Sequence, residues 1–500
     1  MNTGTGKKYR ISLMLLFLTI CVFLCMPVSA AGRKVVLSRT RVTISSGGKT
    51  TIRVKGTNRK VSWSVSGKKL VTVRAKGTKK QTAVITAKKN KSGVCYVTAK
   101  AGKKKLRCRV TVKGKDTQPS VTPAPQPAVT VKDPDLIAAA KTAVTLFKKT
   151  AAEDKTGGNL LISPHSIMTA LALAEQGAAG RTLSEMESAF SGLSASGLSS
   201  FLSRLEGQVT SSPAVTYQIA NSVWYKKGVL QIKDAFLNTV AKEFGAEVHA
   251  EPFDESTVGK INSWVSEKTQ GKIRQIIDRL EPSTLAVLAN AIYFKGNWAE
   301  PYADTVKRTF TDASGGKKTV SMLEGTESDY VTVSGAEGFV KYYSGGSLAF
   351  LGLLPPASQS VDAFVQSLDG ESLVNAYANR TQQGVRVHTR MPEFTYEYEV
   401  TLNDILSKMG VVSAFTDAAD FSRMADTPTK IDAVLHKTYI KLDKKGTEAA
   451  AVTAVVSKAS CMPPSPIIEK WVYLDRPFVY AIVDTNSGMP LFLGVVKEVK

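Results

Sequence analysis

Between residues 32 and 114, apolar and polar residues alternate in short runs. These are Val35-Val36-Leu37, Thr51-Ile52-Arg53-Val54, Val61-Ser62-Trp63-Ser64-Val65, Val71-Thr72-Val73, Ala83-Val84-Ile85-Thr86, Cys95-Tyr96-Val97-Thr98 and Cys108-Arg109-Val110-Thr111-Val112. Turns rich in Gly, Lys and Asn separate them. Strands of period two at this spacing predict an all-β sandwich. The pattern then stops. Residues 115–133 carry Pro119, Pro123, Pro125 and Pro127 among Thr, Val, Ala and Gln, and read as an extended linker. From residue 134 to 500 helical and strand periods mix. Asp133-Pro134 is expected to cap and open a helix running to Lys149, and Ser163-Pro164 to start a second. Helical patterns recur near 182–190, 197–208, 232–244, 258–269 and 400–410. Strand-like runs sit at 218–225, 286–294, 349–354, 437–442, 478–484 and 491–497, the last two flanking the turn signal Asn486-Ser487-Gly488. Helices early and strands late predict an α+β body.

Composition narrows the picture. The 500 residues are 43% hydrophobic and 22% charged, enough for a large core. That excludes a disordered chain, a collagen-like fibre and a multi-span membrane protein. One apolar stretch, Ile11–Met26, follows Lys7, Lys8 and Arg10 and precedes the small residues Ser29-Ala30-Ala31. This is the pattern of a cleaved signal peptide over residues 1–30, a retained anchor being the alternative. The protein is therefore expected outside the cell, free or held at the surface. In that compartment Cys95 and Cys108, on adjacent predicted strands, are expected as a possible disulfide. Cys461 is left over.

Charge is distributed unevenly. Up to residue 115 there are 29 Lys or Arg and no Asp or Glu, whereas the remainder holds 37 bases against 42 acids. One small module carries the whole excess. Such an appendage is expected either to be merely solvated or to hold an anionic cell-wall polymer, mucin or glycosaminoglycan. Nucleic acid is not expected, because the lysines are not interleaved with aromatics.

Motifs for enzyme chemistry are missing. The four histidines, His165, His249, His388 and His436, make no metal-spaced pair. No nucleophile elbow, phosphate loop or dinucleotide fingerprint occurs. Neither a metal nor a cofactor is expected, and the chain is not read as an enzyme.

Two resemblances organise what remains. The basic module resembles the bacterial Ig-like domains (group 2), through Val61-Ser62-Trp63-Ser64, Val71-Thr72-Val73, Thr86-Ala87-Lys88-Lys89 and the pair Tyr96-Val97-Thr98-Ala99 and Val110-Thr111-Val112. The body over 134–500 resembles the serpins, the serine protease inhibitor family. Five pieces carry this in order: Asn159-Leu160-Leu161-Ile162-Ser163-Pro164-His165-Ser166, Asn290-Ala291-Ile292-Tyr293-Phe294-Lys295-Gly296-Asn297-Trp298, Gly446-Thr447-Glu448-Ala449-Ala450-Ala451, Asp475-Arg476-Pro477-Phe478 and Pro490-Leu491-Phe492-Leu493-Gly494. The resemblance implies three β-sheets, about nine helices and an exposed reactive loop. It implies a monomer whose partners are serine proteases held as covalent acyl-enzymes, trapped when the cleaved loop inserts into the main sheet.

The residues can be tested against that expectation. An inserted central strand must bury small, uncharged side chains on one face. Counting in twos from the hinge gives Thr447, Ala449, Ala451, Thr453, Val455 and Ser457, with no Pro and no charge. The family register puts the scissile bond at Ser460-Cys461, which suits elastase-like or subtilisin-like enzymes. Lys458-Ala459 is the trypsin-like alternative, and Ala459, Cys461 or Met462 are further options. By resemblance, Ser163, Ser166, Asn290 and His436 form a polar cluster under the opening of the sheet, and Trp298 lies where insertion begins. The family's usual acid before the hinge Gly is replaced by Lys444, and a neighbouring strand carries Glu393. A sign-reversed Lys444–Glu393 pair is therefore expected. Two rivals stand beside an inhibitor: a non-inhibitory serpin-fold binding protein, and a surface adhesin using the Ig-like module.

Overall fold

The structure is a computed structural model. It describes residues 35–499 apart from positions 40, 67–68, 90, 92, 103, 114–129, 211–214 and 448–466. The signal segment 1–30, most of the linker, the hinge residues Glu448, Ala449, Ala450 and Ala451, and the bond candidates Lys458, Ala459, Ser460, Cys461 and Met462 all lie outside the described residues. The chain divides into two compact units, residues 1–125 and 126–500.

The smaller unit has two four-stranded sheets. One joins Val36–Leu37, Lys49–Lys55, Thr82–Ala87 and Val71–Lys76; the other joins Arg41–Ser45, Lys104–Lys113, Gly93–Ala101 and Val61–Val65. Strict alternation along these strands buries Ile52, Val71, Ile85, Val97 and Val110 in one shared core. This is compatible with the predicted sandwich. The strand Arg41–Ser45 was not anticipated; it pairs parallel to Arg109–Lys113. The disulfide is not formed, and both thiols are free and buried. In the hairpin Cys95 lies opposite Val110, and Cys108 opposite Val97. The two cysteines are thus diagonal neighbours, about 7–8 Å apart across a sheet, whereas a disulfide needs Cβ atoms about 3.8 Å apart.

Among its described residues the larger unit has nine α-helices and three sheets. The first helix begins later than expected, at Leu136–Glu153, with Asp135 at its N-cap and no side-chain cap. Asp133 is drawn away by Arg204, with which it forms an ion pair, and its carboxylate also accepts the Asp135 N–H. A six-stranded sheet runs Asp329–Val333, Ala336–Tyr342, Leu348–Leu354, Phe478–Asp484, Pro490–Val496 and Leu160–Ile162, and is almost wholly apolar at its centre. A four-stranded sheet runs Thr305–Thr311, Lys317–Glu327, Val385–Pro392 and Ile468–Tyr473. Most of its strands escaped the sequence reading, because their exposed positions are charged or polar and their apolar positions few. The third, main sheet positions the functional site.

Candidate functional site

The main sheet runs Glu247–Glu251, Val215–Lys226, Ala286–Asn297, Gly446–Thr447, Ala433–Asp443 and Phe394–Thr401. Its two central long strands are parallel. They pair directly only from Val287–Ala291 against Ala433–Lys437. Towards their other ends they part, and Gly446–Thr447 lies between them, antiparallel to both. Thr447 faces Gly296 and Leu442, and Gly446 faces Asn297 and Asp443. The first two hinge residues are therefore already in the sheet, with Thr447 only 2% exposed.

The local chemistry explains that seat. Gly446 has φ +150°, and a Cβ there would lie 2.1 Å from the Gly296 carbonyl oxygen, so only glycine fits. Thr447 places its hydroxyl 2.7 Å from the Tyr343 hydroxyl inside the core. Tyr343 stacks on Trp298 with ring centroids 4.5 Å apart, and Trp298 meets Phe350 edge-on. The Trp298 indole N–H donates to the Asp443 carbonyl at 3.0 Å, and its backbone N–H to the Lys445 carbonyl at 2.9 Å. Trp298 therefore both floors the opening and holds the turn 443–446. The Tyr302 N–H adds a bond to the Lys444 carbonyl, 2.9 Å.

Glu393 and Lys444 are brought together, but not as an ion pair. The Glu393 carboxylate accepts the backbone N–H of Lys444 at 3.1 Å. The Lys444 ammonium instead reaches Asp304 at 3.2 Å. The lysine's main chain is fixed by the sheet's turn, which leaves its side chain free to swing to the exposed Asp304.

In the middle of the sheet the structure gathers Ser163, Ser166, Asn290 and His436, all buried. Ser163 caps the helix Pro164–Glu175 by accepting the Ser166 N–H at 3.2 Å, and its hydroxyl donates to the Leu491 carbonyl at 2.8 Å. The Ser163 N–H donates to His436 Nε2 at 3.1 Å. The neutral ring must then carry its proton on Nδ1, which lies 3.1 Å from Asn290 Oδ1. That oxygen also accepts the Ser166 hydroxyl at 2.6 Å. Asn290 Nδ2 donates to the Ser166 carbonyl at 3.1 Å and to Asn221 Oδ1 at 2.7 Å. Both polar atoms of Asn290 are thus satisfied twice. Burial pushes the His436 pKa down to about 3. It also pushes His165, whose Nδ1 lies 2.8 Å from the Tyr217 hydroxyl, down to about 4.

Sequence reasoning missed Asn221, Tyr343, Tyr302 and Asp304. Asn221 had a usable signal: Asn221-Ser222 interrupts the apolar run from Ile219 to Tyr225, and buried polar pairs there need partners. Tyr343 had none, because it sits just past a strand end beside a glycine turn.

A family model described as Serpin (serine protease inhibitor) matches residues 138–499. Leukocyte elastase inhibitor A of Mus musculus is 29% identical over 371 residues, 71% of this chain and 96% of that protein. The native-state crystal structure of the thermophilic serpin tengpin is 33% identical, with a TM-score of 0.68, covering 75% of this chain and 96% of that one. A thyroxine-binding globulin complexed with thyroxine is 25% identical, with a TM-score of 0.64, covering 73% and 99%.

Proposed function

The chain belongs to the serpin family, and we propose that it is a secreted inhibitory member. It traps serine proteases irreversibly, elastase-like or subtilisin-like enzymes being favoured. The protease serine attacks the carbonyl carbon of Ser460, or alternatively of Lys458. The peptide bond breaks, the new amine leaves with the C-terminal peptide, and an acyl-enzyme remains. The freed loop then enters the main sheet and carries the protease with it.

One observation carries this reading: Gly446–Thr447 is already seated between the two central strands. Continuing that register along the loop would set Ala449 against Phe294 and Ile440, and Thr453 against Asn290 and His436. The direct pairing of 287–291 with 433–437 must then give way. Ladders on both sides of a new antiparallel strand would replace one short parallel ladder, each bond worth about 1 kcal/mol net. Thr453 would bring a hydroxyl to the polar cluster that the opening disturbs. Every inward position from Thr447 to Ser457 is small and uncharged, as burial demands.

The relative that is complexed with thyroxine keeps a non-inhibitory alternative in view. Mixing the full chain with elastase-like, subtilisin-like and trypsin-like proteases decides between them. A complex stable on denaturing gels, with a released peptide beginning at Cys461, is expected. A peptide beginning at Ala459 moves the bond to Lys458 and the target to trypsin-like enzymes. Cleavage by all three without a complex overturns inhibition. We assign the basic module, read as Ig-like, to electrostatic retention on an anionic polymer outside the cell. Release by high salt alone checks it.

A further inference from the structure

Among its described residues the basic module has a groove whose lining is not merely cationic. About 570 Å³ in volume, it runs between the edge strands of the two sheets and is lined by Lys60, Trp63, Val73, Ala75, Lys80 and Lys100 among others. Lys60, Lys80 and Lys100 are exposed, and Trp63 is half-buried in the wall. The indole is not free to turn away: its N–H donates to the Lys80 carbonyl at 2.7 Å. Lys80 itself holds φ +51° in the turn before Thr82–Ala87, which fixes the carbonyl that receives the bond. At one end the Arg59 guanidinium lies against Gly102. No Asp or Glu occurs anywhere up to residue 115, so nothing in the module neutralises these cations.

We propose that this groove binds an anionic polysaccharide, with a pyranose ring lying on the Trp63 wall and its sulfate or carboxylate groups meeting Lys60, Lys80 and Lys100. The inference rests on the reading of the module as a polyanion-retaining appendage and gives it an address and a ligand class. A sugar unit has an apolar C–H face and charged edges, which is the division the groove itself shows. A polyphosphate has charge but no face for the Trp63, Val73 and Ala75 wall. A single-stranded nucleic acid has faces, but it needs aromatics for successive bases. The module holds only Trp63 and Tyr96 as aromatics, and the Arg107 guanidinium covers the Tyr96 ring at 4.4 Å.

The test uses the full chain at about 0.15 M salt, where screening acts over about 8 Å. Binding to dextran sulfate and polygalacturonate is measured beside polyphosphate and oligo(dT). Two triple variants remove equal charge: Lys60→Gln/Lys80→Gln/Lys100→Gln in the groove, and Lys49→Gln/Lys88→Gln/Lys89→Gln away from it. Trp63→Phe probes the wall. All the lysines are exposed, so the triples preserve the core. The expected result is polysaccharide affinity falling about tenfold or more in the groove triple and less than about threefold in the other. Trp63→Phe is expected to reduce the preference for polysaccharide over polyphosphate. Equal losses in both triples overturn the groove and leave the polyanion reading standing. Tighter binding of polyphosphate or oligo(dT) than of either polysaccharide overturns the ligand class. A wild-type chain that binds none of the four probes, even at low salt, sinks both readings together.

Discussion

The main sheet is open at one end and closed in its middle, and the two places are made of different material. At the open end, aromatic rings and backbone bonds hold a two-residue wedge: Trp298 and Tyr343 below, Gly446–Thr447 between the strands. In the middle, five side chains on four elements (Ser163, Ser166, Asn221, Asn290 and His436) share hydrogen bonds that leave no polar atom of Asn290 idle. The first arrangement tolerates occupancy, since stacking and backbone contacts do not depend on the side chains beyond Thr447. The second resists it, because parting the strands leaves several buried donors and acceptors unpaired at once. For the insertion proposed above, the resistance is then concentrated at this one layer. The strongest way to break this contrast is at the wedge. Replacing Thr447 by Arg puts a charge where a 2% exposed hydroxyl now sits, at a cost of several kcal/mol if unpaired. The expected outcome is loss of the gel-stable protease complex with cleavage retained, at least about a hundredfold more inhibitor consumed per enzyme inactivated. An undiminished complex would show that the wedge does not lead insertion.

The middle should respond in stability rather than in outcome. Asn290→Ala leaves His436, Ser166 and Asn221 each short of a partner. A loss of about 2–4 kcal/mol in denaturant unfolding is expected. The same variant should insert its loop more readily, read as faster conversion to a form whose loop resists cleavage. A neutral effect would mean water replaces the amide, and the contrast between the two places would weaken.

Acid sharpens the same layer. His436 refuses a proton down to about pH 3, because burial disfavours the cation and its Nε2 already faces the Ser163 N–H. The unfolded ring takes that proton near pH 6.5. Stability from this group is thus complete above pH 6.5 and is lost as pH falls toward 3, by about 1.4 kcal/mol per unit. His165 adds a parallel loss down to about pH 4. Glu175 opposes both: it is buried with neither oxygen partnered, and its pKa is raised to about 8, so its effect falls between pH 4.5 and 8 with the reverse sign. The clean measurement is therefore a difference. The gap in unfolding stability between wild type and His436→Gln should shrink as pH drops from 7 to 5. A constant gap would show that the folded ring takes up its proton at the same pH as the unfolded one.

How much of this was readable beforehand divides along the same line. The polar cluster was reached through the family resemblance, which carries Ser163, Ser166, Asn290 and His436 over by position, and the structure brings the four together. The hinge was reached through the family resemblance, and only its Gly446 and Thr447 fall among the described residues. What failed was anything set by how the chain bends back. Asp133 was lost as a cap because Arg204, on a later helix, claims it. The disulfide was lost to a two-residue offset in strand register, which spacing alone does not fix. Tyr343 contributes to the open end from just past a strand, a role only the folded sheet reveals.

The smallest effect separates main chain from side chain at the turn. Opposite charges at Lys444 and Glu393 suggest an ion pair, yet the carboxylate takes the lysine's backbone N–H, and the ammonium goes to Asp304, whose side chain is 83% exposed. A pair so wet is worth about 0–1 kcal/mol. Lys444→Glu should therefore cost less than about 1 kcal/mol, most of it repulsion from Asp304 and Glu393. Glu393→Ala should cost about 1–2 kcal/mol, because it leaves a backbone donor unmet behind the wedge. The double change of Lys444→Ala with Glu393→Ala should then be nearly additive, since alanine at 444 keeps the N–H that Glu393 binds. A coupling above about 1 kcal/mol would restore the ion pair and make the hinge turn a charge-controlled latch rather than a main-chain one.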